Sequence, residues 1–249
     1  MSRPSGSLCQ IVHPGTTAAM LALVCSIAAA VIAQQAKPED TDQRPFTDRF
    51  VVEHKDFAST GSNPYFVLEP GYVLVLAGEA DAEPAELTIT VLDETRTIAG
   101  VETRVVEERE TRRGALIEVS RNYFAICRRT DTIYYFGEDV DMYQDGKVVG
   151  HGGSWHAGEG NARYGVMMPG TVLLGARYYQ EIAPAVAMDR AEVVSLDATL
   201  ETAAGRFDHC LKVEESTPLE PGVKEFKVYG AGIGLLADGA LKLVKFGRK

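Results

Sequence analysis

The second half of this chain repeats the first, and both copies carry the two-residue alternation of β-strands. Gly71 aligns with Gly175, and Leu92-Asp93-Glu94-Thr95 aligns with Leu196-Asp197-Ala198-Thr199, both at an offset of 104. Ala99-Gly100 then matches Ala204-Gly205, Glu107-Glu108 matches Glu214-Glu215, Gly114 matches Gly222 and Glu118 matches Glu225, at offsets of 105 to 108. A drift this small fits loops that gain or lose a residue while strands keep their register.

Each copy follows the same order. A strand (Tyr72 to Ala77; Arg177 to Ile182) leads to an alternating strand (Glu86 to Asp93; Glu192 to Asp197) and an Ala-Gly turn. Two further strands follow, Val101 to Glu108 and Ala115 to Ile126 in the first copy, His209 to Glu215 and Val223 to Tyr229 in the second. Leu87, Ile89 and Val91 fall on one face and Thr88 and Thr90 on the other, as a half-buried antiparallel strand requires. No helical period of any length occurs after residue 36, which argues against parallel α/β folds, whose crossovers need helices. The expected fold is all-β: internally duplicated antiparallel meanders forming one curved sandwich or incomplete barrel over residues 66–249, with copies at about 66–126 and 170–249.

Residues 1–33 read as a signal peptide, or alternatively an uncleaved N-terminal anchor. Arg3 precedes an apolar run from Thr17 to Ala33 that ends in small residues. Residues 34–65 read as an extended leader that drapes over the domain. Without residues 1–33 the chain loses one Arg and no acid, leaving 24 basic against 35 acidic residues and a charge of −11. Nucleic acid and anionic lipid are therefore poor partners. Export leaves two cysteines, Cys127 and Cys210, and an even number in an oxidising compartment predicts one disulfide between them.

The stretch without a counterpart, about 127–169, is where function is expected. Tyr134 and Phe136 on its aromatic strand, with Trp155 and Met168 further along, are candidates to line a concavity for an apolar ligand. His151, His156 and Glu159 are weak metal candidates, since they lie in a Gly-rich loop without a second ligand pair; neither a metal nor a cofactor is expected. Ser154 lacks the closing glycine and the strand-to-helix context of a nucleophile elbow. Glu138-Asp139-Val140-Asp141 puts its acids in the wrong register for a calcium loop and precedes an Asp145-Gly146 hairpin signal. Adjacent glutamates on a strand point to opposite faces, so Glu107-Glu108 and Glu214-Glu215 cannot each act as a dyad, although one acid from each copy could meet another.

The apolar leader, the β-only body, the turn Ala204-Gly205-Arg206-Phe207 and the late Gly230-Ala231-Gly232-Ile233-Gly234-Leu235 resemble uncharacterised exported bacterial β-rich proteins. More distantly, residues 190 to 246 are similar to the LolA/LolB-like half-barrels, which carry lipoproteins across the periplasm. The resemblance implies a curved sheet whose late strands follow those turns. The functional expectation is an exported, periplasmic or secreted, non-enzymatic protein that binds an apolar small molecule on a concave face or in the insertion, with no membrane span once the leader is cleaved. The alternatives are a cell-envelope structural or protein-interaction module, with an envelope protein as partner, and a secreted hydrolase using His151, His156 or Ser154.

Overall fold

The structure, a computed structural model, describes residues 44–248. The candidate signal peptide and the start of the leader lie outside the described residues. Apart from one 3-10 turn at His54–Asp56, every regular element described is a strand. In chain order these are β1 (Phe57–Ala58), β2 (Gly61–Asn63), β3 (Phe66–Leu68), β4 (Tyr72–Ala80), β5 (Glu83–Ile98), β6 (Val101–Arg112), β7 (Ala115–Cys127), β8 (Ile133–Gln144), β9 (Lys147–Gly150), β10 (Trp155–His156), β11 (Arg163–Met168), β12 (Arg177–Tyr179), β13 (Glu181–Ile182), β14 (Arg190–Thr202), β15 (Gly205–Ser216), β16 (Glu225–Gly230), β17 (Gly234–Asp238) and β18 (Leu241–Arg248).

The main sheet runs β12-β14-β15-β16-β17-β18-β4-β5-β6-β7-β8-β11-β13, with antiparallel neighbours throughout. It curls into a barrel closed except for one seam. The two end strands, β12 and β13, are consecutive in the chain and joined through Gln180, so the covalent backbone itself crosses the seam. The strand expected over Arg177 to Ile182 is therefore broken. Gln180 donates its N–H to the Asp189 carbonyl at 2.8 Å, while the pieces on either side pair with β14 and β11 respectively. Gly165 on β11 makes this joint possible, because a Cβ there would stand 2.4 Å from the Gln180 carbonyl oxygen and 2.5 Å from that of Tyr179.

The duplication is visible in the backbone. Gly71 N–H donates to Val91 O and Gly175 N–H to Val193 O, each at 2.8 Å. Val91 faces Val106 and Val193 faces Val213, so β4-β5-β6-β7 and β12-β14-β15-β16 share one register. The matched Leu-Asp segments are β-bulges: the β5–β6 ladder shifts between Val91 and Thr95, and the β14–β15 ladder between Val193 and Ala198. The Ala-Gly pairs, in contrast, are not equivalent. Ala99 and Gly100 are the central residues of a tight turn with φ of 48° and 78°, whereas Gly205 already begins β15 at φ 138°.

Alternate residues of each strand enter the barrel. Near one end Phe66 of the β2–β3 hairpin packs on Phe124 with centroids 5.2 Å apart, and Leu68 is fully buried. Asn63 fixes this hairpin by donating to the carbonyls of Asp131, Met168 and Pro169 at 3.1–3.4 Å. Further along the same strands Leu76, Leu87, Leu236, Leu241 and Leu243 form a second apolar cluster. The leader is tied down by buried Arg104, which donates to Ser59 O and Thr60 Oγ1 at 3.0 and 2.7 Å and reaches the Leu92 and Glu94 carbonyls freed by the β5 bulge. Upstream, Thr47 makes a parallel bridge to Tyr178, and Phe46 lies beneath the guanidinium groups of Arg177 and Arg190 at 4.0 and 4.4 Å.

The expected disulfide is not formed. Cys127 and Cys210 are both buried free thiols, and they belong to different apolar clusters, one beneath β1 and the other among the leucines of the second cluster. Alkylation of the denatured, unreduced protein should therefore label both thiols, and a mass showing one intact bridge would contradict this arrangement. Gly165→Ala should destabilise the protein by about 1–3 kcal/mol through forced displacement of the seam backbone, seen as a lowered Tm. Gly114→Ala offers a control for positive φ alone, since at φ 77° its Cβ would meet nothing within 4 Å.

Candidate functional site: the barrel interior

The sequence candidates occupy several places. Tyr134 and Phe136 project from the face of β8 opposite Tyr135 into an aromatic cluster with Phe57 and Tyr164. Phe57 lies 5.4 Å from Tyr134 and 5.2 Å from Phe136, and Tyr164 stacks on Phe136 at 4.8 Å. Trp155 instead packs edge-on to Tyr135 at 5.3 Å, and Met168 ends β11 opposite Ile133. All four are buried, and none lines the pocket described below.

The loop residues hold the outer edge of β8. That edge pairs in turn with β9, β10 and β11, and between β9 and β10 the backbone of Val140 is served by side chains. Ser154 Oγ accepts the Val140 N–H at 2.8 Å, and His151 Nδ1 lies 2.9 Å from the Val140 carbonyl and 3.0 Å from Asp141. His156 sits between Asp139 and Glu159, each at 3.0 Å. Burial pushes the Asp139 carboxyl up, but hydrogen bonds from Tyr123 and Arg96 outweigh it and hold it below the usual carboxylate range. Among the described residues no group of three His, Cys, Asp or Glu is arranged to hold a metal ion.

Inside the barrel lies a pocket with a cavity volume of about 70 Å³, partly open to solvent. Leu74, Ile89, Val91, Val106, Phe124 and Leu235 supply apolar walls, Phe66 and Val67 come from the β2–β3 hairpin, and Glu108, Lys227 and Asp238 form a charged floor. The register explains this set. Leu74, Ile89, Glu108 and Ser120 lie opposite one another on successive strands β4 to β7, and Val213, Lys227 and Asp238 do so on β15 to β17. The opposite face of β5 to β8 carries Thr90, Glu107, Arg121 and Asp139 in the same way. There Arg121 reaches Asp141 at 3.2 Å and Glu107 at 3.6 Å, so this part of the outer wall is a ladder of charges.

The floor is strongly acidic. Lys227 Nζ lies 3.1 Å from Glu215 and 3.5 Å from Asp238, and these carboxylates hold its ammonium well above the usual range despite burial. Glu215 also accepts from Gln180 Nε2 at 2.8 Å. Burial, with neighbouring carboxylates adding to it, pushes Glu108 and Glu118 up to about 7 and Glu138 up to about 8. Glu181 beside Asp189 is pushed well above the ordinary range for the same reasons. Glu108 faces the Lys227 ammonium, which draws its pKa down but does not outweigh burial, and Asp238 Oδ1 is buried without a partner.

This site was missed among the sequence candidates, yet one signal pointed to it. The paired glutamates recur at equivalent places: Glu107 and Glu214 face outward, while Glu108 and Glu215 face inward and meet at Lys227. The separation of faces anticipated for adjacent acids is observed.

Glu108 has a folded-state pKa above its unfolded value, so the stability it contributes is present below about pH 4.5 and lost as the pH rises through about 7. Glu108→Gln should match wild type near pH 4 and exceed it at pH 8 by at most about 3 kcal/mol. Urea unfolding at the two pH values checks this, and an equal gap at both would rule it out. No protein-family model, curated protein or solved structure matches this chain.

Proposed function

We propose that this chain is an exported, non-enzymatic protein that binds an apolar or amphipathic small molecule inside its barrel. The observation that carries this reading is the pocket itself: a partly open interior space walled by Leu74, Ile89, Val91, Val106, Phe124 and Leu235. Clefts that combine mainly apolar walls with a few convergent polar groups are where small ligands bind. The binding site moves from the insertion, where Tyr134, Phe136, Trp155 and Met168 pack into the core, to the interior shared by the two copies. Ser154 and His151 both engage the Val140 backbone rather than each other. Export rests on the apolar segment from Thr17 to Ala33.

A second reading, docking of an envelope protein, draws on Leu173 and Leu174, which stand side by side before β12 and are 64% and 66% exposed. The two readings part on one variant. Ile89→Trp fills the pocket and leaves Leu173 and Leu174 untouched. For a ligand-binding protein it should lower the affinity for 1-octanol, measured by titration calorimetry, by about tenfold or more, with overpacking costing about 1–3 kcal/mol of stability. Unchanged affinity in the folded variant would overturn the interior site.

A further inference from the structure

We propose that the ligand of this interior is an amphipathic cation, an alkyl chain carrying an amine, whose ammonium group sits between Glu108 and Asp238. The inference rests on the reading of the barrel as a binding protein and adds the chemistry of the head group. Three inward carboxylates, Glu108, Glu215 and Asp238, meet one ammonium, that of Lys227. Lys227 is already engaged on both sides, at 3.1 Å by Glu215 and 3.5 Å by Asp238, so it has little to offer an anionic head group. A fatty acid would instead bring a fourth carboxylate to the floor, and like charges in a desolvated site repel strongly.

The unused acceptors match an ammonium. Asp238 Oδ1 is buried without a hydrogen-bond partner on a residue that lines the pocket, and the Glu108 carboxyl lines the same pocket facing the Lys227 ammonium, which Glu215 and Asp238 already hold. A buried acceptor left unsatisfied costs free energy that a donating ligand recovers. An ammonium provides three N–H donors, enough to serve both acceptors at once. Apolar walls from Ile89, Val91, Val106 and Leu235 then take the alkyl chain.

Uptake should also depend on pH. Glu108 faces Lys227 on β16, Asp238 on β17, Glu215 on β15 and Glu118 on β7, and burial pushes it up to about 7. An alkylamine stays cationic across this range while Glu108 ionises, so amine binding should strengthen as the pH rises through about 7 and proton release should accompany binding. Glu118 titrates in the same interval, and Glu138 near 8, so the share of Glu108 is isolated by Glu108→Gln.

The test is titration calorimetry of the folded protein with octylamine, 1-octanol and octanoate at pH 5.5 and 8. The expected result at pH 8 is octylamine tighter than 1-octanol by about tenfold or more, with octanoate weakest. That preference should shrink at pH 5.5 and in Glu108→Gln, and vanish in the Glu108→Gln, Asp238→Asn double variant. Both variants should still unfold cooperatively on heating, which shows that the barrel is intact. Equal binding of amine and alcohol would overturn the head-group inference and leave the interior site standing. Octanoate as the tightest ligand would overturn it in favour of Lys227 as an anion site. Failure of all three to bind would remove the interior site and the inference together.

Discussion

The pairing of β18 with β4 is the contact on which the remainder of the structure depends. Leu243 opposite Leu76, and Phe246 opposite Leu74, join the last strand of the second copy to the first strand of the first. Each copy alone would be a curved sheet with bare edges and one exposed apolar face, an arrangement that isolated meanders do not sustain. Once the ladder is made, the two concave faces become one interior. Only then do Glu108 from one copy and Glu215 and Lys227 from the other share the same space.

That shared space departs from an ordinary apolar core. A fully apolar barrel would be filled by side chains at close packing, whereas here charges are placed on inward positions of β6, β15, β16 and β17. The desolvation cost shows where burial raises the titration of Glu108 and Glu215. Only part of the cost is offset within the chain. Lys227 and Gln180 satisfy Glu215, while one oxygen of Asp238 is left without a partner. Such a local departure from foldability rules is the usual mark of a site.

The features legible in the sequence are those in which backbone geometry dictates residue type. The repeat shows at Gly71 and Gly175, with φ of 82° and 79°, because few residues other than glycine tolerate those conformations. The Asp145-Gly146 hairpin is recognisable for the same reason, with φ of 51° and 73°. The location of the pocket is a different kind of fact. A period of two shows which residues share a face, but not which face becomes concave, and on β8 both faces are rich in apolar residues. Alternation alone therefore points Tyr134 and Phe136 at the concavity, whereas the chain curls the other way and Tyr135 faces inward. The pairing of Cys127 with Cys210 failed because spacing along a chain carries no information on separation across a barrel.

The leader paired along β12 has a consequence for how the molecule meets its own copies. β12 ends the row, and its outer edge would present bare N–H and C=O groups were it not for Thr47, which donates to Arg177 O and accepts from Tyr179 N, both at 2.9 Å. Phe46 and Arg44 hold that bridge in place through Arg177, Arg190 and Glu192. A chain clipped between Thr47 and Phe57 would keep every strand of the barrel and still gain an adhesive edge. With only Arg177–Tyr179 available, that edge is too short to template an extended ladder, so the leader's loss would favour weak, reversible self-association over fibre growth.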